Sequence, residues 1–97
     1  MTIRQFRRRI DALDRKLVKI LSQRARCSTA VGHLKHAAGF PLFHRKREEE
    51  ISRNVRRANL GPLSDSAIDH LFAAILRLTR AAVRAELRRR PSRRARK

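Results

Sequence analysis

The 97-residue chain has no tryptophan, no tyrosine and only four phenylalanines, Phe6, Phe40, Phe43 and Phe72. So few rings leave little for recognising single-stranded nucleic acid by base stacking. The single cysteine, Cys27, excludes an internal disulfide framework, and nothing points to an oxidising compartment. That thiol is expected to sit buried or half-buried in the fold. No apolar run is long enough to cross a bilayer, and MTIRQFRRRI lacks the hydrophobic segment and cleavage site of a secretory signal. The expectation is a cytoplasmic protein. Acids are also scarce: 8 Asp and Glu stand against 26 Lys and Arg, a formal charge of +18, which implies an anionic partner.

The charge is unevenly placed. RRRPSRRARK, residues 88–97, holds seven basic residues, one proline and no acid, and reads as a disordered basic tail. Residues 1–87 keep 19 basic against 8 acidic residues, or +11, so the body is basic without the tail. A body of that length is one small domain with room for a modest core.

Glycine and proline divide the body into three parts. In AAGFP, Gly39 is a candidate helix-ending glycine with Pro41 two residues on. NLGPLSDS repeats the signal with Gly61 and Pro62, then supplies Ser64 as an N-cap and Asp65 for the first turn. Strand-like alternation is missing between the breaks. The spacing predicts an all-α chain with helices near 3–37, 45–59 and 65–88. The first carries an apolar stripe of Ile3, Phe6, Ile10, Leu13, Leu17, Leu21, Val31 and Leu34. The third shows Ile68, Leu71, Phe72, Ile75, Leu78, Ala82 and Val83; the second offers only Ile51, Val55 and Ala58. At 1.5 Å per residue the first helix is about 50 Å long, too long for two shorter helices to cover. An intertwined homodimeric helical bundle, with the long helices burying each other, is the expected solution.

Several cations fall on the apolar side. At 100° per residue, Arg24 lies about 20° from the centre of the first stripe, Lys35 on it and Arg7 at its edge. Arg47 flanks Ile51 and Val55 on the inward side of the second helix. One such residue can snorkel to water; several together call for an anion, because an unpaired buried charge is costly. Only Glu48, in the acidic run of RKREEE, is well placed among the nearby carboxylates. A small ligand with more than one negative charge is therefore expected. Arg24 and Lys35 are about 16 Å apart along their helix, within joint reach of one small molecule. Arg7, about 25 Å from Arg24, cannot serve the same pocket, but in an antiparallel dimer it could reach the partner's.

The stretches RRRIDALDRKLVKILSQR, VGHLKHAAGFPLFHRKREEE and NLGPLSDSAIDHLFAAILRLTRAAV together resemble the all-helical chorismate mutases over residues 3–84. The resemblance implies an intertwined dimer that converts chorismate to prephenate, towards phenylalanine and tyrosine, with no cofactor and no metal. It implies that Arg7 crosses to hold a substrate carboxylate in the other subunit's site and that Arg24 holds the second. Lys35 then donates to the ether oxygen and a carboxylate. Arg47 and Glu48 form the pair opening the second helix, with Glu48 accepting from the ring hydroxyl. Glu49 and Glu50 are left to the helix N-terminus and solvent.

Three positions depart from the family pattern. His44 stands where aspartate is usual, Thr79 replaces a common serine and keeps the hydroxyl, and Val83 occupies the place of a glutamine or glutamate donor to the ether oxygen. Loss of such a donor costs about 10²–10³ in rate. Other readings are a weakly active or regulatory homologue, or the same scaffold acting on isochorismate or 4-amino-4-deoxychorismate. More distant is a basic helical nucleic-acid-binding protein, with non-specific contact through the tail. His33 and His36 have the i, i+3 spacing of metal ligands, but no third ligand accompanies them.

Overall fold

The computed structural model describes residues 1–91; most of the basic tail, 92–97, lies outside the described residues. Three helices account for nearly all of it: α1 (Ile3–Ala38), α2 (Arg45–Ala58) and α3 (Asp65–Arg89). The expected all-α architecture is present, with α1 running for 36 residues. Helix α3 continues through Arg89, so the first two residues of the expected tail are helical.

Each helix end has a local cause. Thr2 and Gln5 form a reciprocal capping box at the start of α1, which the sequence reading overlooked. Gly39 ends α1 at φ 76°, a left-handed conformation that glycine adopts without penalty. Ser64 caps α3 by accepting from the Ala67 backbone N–H. The second break differs from expectation. Helix α2 stops at Ala58, before Gly61, and Asn59 organises the connection. Its side-chain amide donates to the Leu63 carbonyl at 2.8 Å and to Asp65 Oδ1 at 3.0 Å, while its Oδ1 accepts from the Gly61 N–H. Gly61 supplies a positive φ of 81° within the turn rather than a helix cap.

Helix α3 is the central element and packs against both α1 and α2. Its inward ridge includes Phe72, Leu76, Thr79, Val83 and Leu87, of which only Val83 and Leu87 are fully buried. Leu71 and Leu78, expected on the inward stripe, are 50% and 64% exposed in the single chain. An ion pair ties α2 to α3: Arg56 Nε donates to Asp69 Oδ1 at 3.1 Å, and Ser52 Oγ donates to the same oxygen at 3.2 Å.

The chain measures 63 × 26 × 16 Å, with a radius of gyration of 17.1 Å. A compact body of this size has a radius of roughly 12–13 Å. The excess length is the N-terminal half of α1, where Ile3, Phe6, Ile10, Leu13, Leu17 and Leu21 are exposed. Among the described residues, no helix is long and apolar enough to cross a membrane.

Candidate functional site

A cavity of about 290 Å³ opens where the C-terminal half of α1, the α1–α2 loop, the first turns of α2 and the middle of α3 converge. Its lining includes Arg24, Lys35, His44, Arg47, Glu48, Thr79 and Val83. Seven of the eight residues singled out from the sequence thus meet at one place. The exception is Arg7, which lies exposed in the first half of α1, outside the cavity of its own chain.

Arg24 and Lys35 are half-buried, whereas Val31 and Leu34 of the same stripe are exposed in the single chain. Arg24 Nη1 donates to Thr79 Oγ1 at 3.4 Å, linking α1 to α3 across the cavity wall. Thr79 keeps the hydroxyl that this contact needs. Arg47 departs from expectation. Its side chain is 59% exposed, and its guanidinium pairs with Glu50 one turn along α2 while still lining the cavity. Glu49 lies 3.8 Å from Arg45, also within α2. The acidic run therefore divides: Glu49 and Glu50 pair along the helix surface, whereas Glu48 turns towards the cavity.

Glu48 is not alone there. Arg80 Nη1 donates to Glu48 Oε1, an ion pair between α3 and α2. Sequence reading missed Arg80 because the two residues stand 32 positions apart, and no local pattern joins them.

Two further features of the wall went unread. Gly32 is buried in mid-helix, and a Cβ there would stand 2.7 Å from Val83 Cγ1. An isolated glycine inside a helix was the available signal, since it costs about 1 kcal/mol relative to alanine and implies a close approach. Cys27, expected to be buried or half-buried, is a free, exposed thiol among the residues lining the cavity.

His44 is the N-cap of α2, with extended backbone and no side-chain cap hydrogen bond. The neighbouring Phe43 ring lies under the Arg84 guanidinium, 5.0 Å from its centroid, which fastens the loop to α3. The cavity lining carries four cations, Arg24, Lys35, Arg47 and Arg80, against one carboxylate, Glu48. An enclosure of that balance suits a small ligand bearing more than one negative charge.

Comparison with known proteins identifies the family. Residues 6–84 match the family model described as chorismate mutase type II. The chain is 34% identical over 79 residues to the bifunctional chorismate mutase/prephenate dehydratase of Pseudomonas aeruginosa, and 27% identical over 78 residues to that of Aquifex aeolicus. Each match covers 76% of this chain, which spans only 22% of the length of either relative. Among solved structures, form I of the Thermus thermophilus chorismate mutase superposes with a TM-score of 0.77 at 32% identity, covering 79% of this chain and 96% of that one. Form II gives 0.79 at 30% identity, covering 94% and 98%. By its matched residues and by its fold, the chain belongs to the type II chorismate mutase family.

Proposed function

We propose that the protein is a chorismate mutase, converting chorismate to prephenate in the route to phenylalanine and tyrosine. The observation that carries this reading is the convergence of Arg24, Lys35, Arg47, Glu48, Thr79 and Val83 on one cavity. The rearrangement is a single pericyclic step, so the site needs no nucleophile and no general base. Its tasks are to hold the enolpyruvyl ether folded over the ring and to stabilise negative charge on the ether oxygen as its bond breaks.

Arg24 takes one substrate carboxylate, and Arg7 of a second copy takes the other. Lys35 donates to the ether oxygen, and Glu48 accepts from the ring hydroxyl. Arg47, His44 and Thr79 complete the binding wall. The basic body draws the dianionic substrate inward. The working form is an intertwined homodimer, supported by the exposed apolar stripe along α1. Residues 1–87 constitute the functional domain. The basic segment 88–97 contributes no site residue, and any contact it makes with nucleic acid is non-specific and salt-dependent. The expected location is the cytoplasm.

Val83 favours a second reading. It places methyl groups where the family has a donor, and its side chain is only 2% exposed. Such a site turns chorismate over slowly or acts on a close relative of it. Incubation with chorismate and, separately, isochorismate, followed by identification of the products, tests both. Prephenate from chorismate supports the mutase; pyruvate from isochorismate with chorismate unchanged would replace it.

A further inference from the structure

The cavity contains one carboxylate, and that carboxylate is already paired. Arg80 follows Thr79 on α3 and reaches across to Glu48 Oε1, with the two side chains 32% and 34% exposed. The remaining acids of α2 are engaged elsewhere: Glu49 beside Arg45, Glu50 with Arg47. At the start of α2, where a second carboxylate would stand in the family pattern, there is His44. The corner around Glu48 therefore holds a carboxylate neutralised by one guanidinium, while Arg47, which also lines the cavity, turns its own guanidinium to Glu50.

This balance discriminates between two kinds of ligand. A carboxylate accepts through both oxygens, so Arg80 on Oε1 leaves Oε2 open. A ring hydroxyl can donate to Oε2 without bringing any charge. A ring ammonium at the same position would be attracted to a bare carboxylate, but here it meets one already balanced and faces the like charge of Arg80. We propose that Arg80 is a specificity-determining residue, whose pairing with Glu48 sets the site to accept a ring hydroxyl and to reject a ring ammonium. The inference rests on the reading that Glu48 faces the ring substituent of a chorismate-like ligand. It assigns to α3 a selective role that Thr79 and Val83 do not supply.

The probes are chorismate and 4-amino-4-deoxychorismate, which differ at the one ring substituent. Affinity for each is measured by calorimetry where the ligand is not turned over and as kcat/KM where it is, with the same readout for a given ligand in the wild type, Arg80→Gln and Arg80→Lys. The wild type should bind chorismate in preference to the amino compound. Arg80→Gln should move the affinity ratio towards the amino compound by on the order of ten- to a hundredfold, as expected from removing one charge near the ligand. Arg80→Lys, which keeps the charge, should hold the ratio near wild type.

A purely structural role would weaken both ligands alike, and a ratio within about twofold of wild type in a folded Arg80→Gln protein would overturn the proposal. Should that variant fail to fold, Arg80→Met preserves the aliphatic stem and carries the same expectation. Failure of the wild type to turn chorismate over would count against the mutase reading alone. In that case calorimetry gives the affinity ratio without turnover and decides the role of Arg80 separately.

Discussion

The Cγ1 methyl of Val83 lies so close to Gly32 that a Cβ built on the glycine would stand 2.7 Å from it. This contact is where α1 and α3 approach each other beside the cavity, and it fixes the space available on both sides. Gly32→Ala should destabilise the fold by about 1–3 kcal/mol from overpacking, less the roughly 1 kcal/mol that alanine gains in a helix. In a Val83→Ala background the same substitution should cost nothing or stabilise. Urea denaturation of the four proteins in this cycle measures the coupling, and additive effects would mean that the two residues do not meet.

On the proposed mutase reading, Val83 also limits the rate. Glutamine is unbranched at Cβ, so Val83→Gln gives up one of the two methyls and can extend an amide into the cavity. With that second donor to the ether oxygen beside Lys35, kcat for chorismate should rise by up to about 10²–10³. Val83→Leu changes volume without adding a donor and should bring no gain. Steady-state kinetics on the three proteins check this. A folded glutamine variant no faster than wild type would shift weight to the alternative-substrate reading.

His44 caps α2 without a side-chain hydrogen bond. His44→Asp would place an acceptor over the free N–H groups of the first turn and a negative charge at the positive end of the helix dipole. A gain of about 1 kcal/mol is expected in urea denaturation at neutral pH. His44→Ala, which supplies neither feature, should show none.

The exposed apolar stripe of α1 predicts an obligate dimer. Sedimentation at micromolar concentration should give twice the chain mass. Arg7→Glu should abolish turnover while leaving that mass unchanged if Arg7, which lies outside its own chain's cavity, serves the partner's as proposed. Recovery of activity on mixing Arg7→Glu with an equally inactive Arg24→Glu protein would locate the two residues in one shared site, since one of the mixed dimer's two sites is then intact. No recovery after verified subunit exchange would count against sharing.

The hydrogen bond from Arg56 to Asp69 holds that carboxyl below its ordinary value of 3.8, with the Arg56 charge adding to the effect and desolvation opposing it. A carboxyl depressed in the folded state contributes stability that is present above the ordinary value and lost as pH falls below it, through the folded value. Asp69→Asn should therefore lower Tm at pH 6 and differ less from wild type as the pH approaches 3. An unchanged difference across that range would mean that Asp69 contributes through packing rather than charge.

The helices and most of the residues that line the cavity were legible in the amino-acid sequence. Gly39, the Ser64 cap and the apolar spacing are local signals, because a helix boundary depends on the conformations of a few neighbouring residues. Arg24 and Lys35 were legible because a cation on an apolar stripe contradicts its surroundings within a single helix. Which groups meet was not legible there and follows from the packing of the three helices. Arg80 reaches Glu48 from another helix, Gly32 meets Val83 across the packing of α1 on α3, and Arg47 turns outward to Glu50. Cys27 lines the cavity as an exposed thiol rather than a buried one. These relations depend on how the helices cross, and crossing is fixed by the joint packing of residues far apart in the chain. Helical periodicity reports the face on which a residue lies, but not what another helix brings to that face.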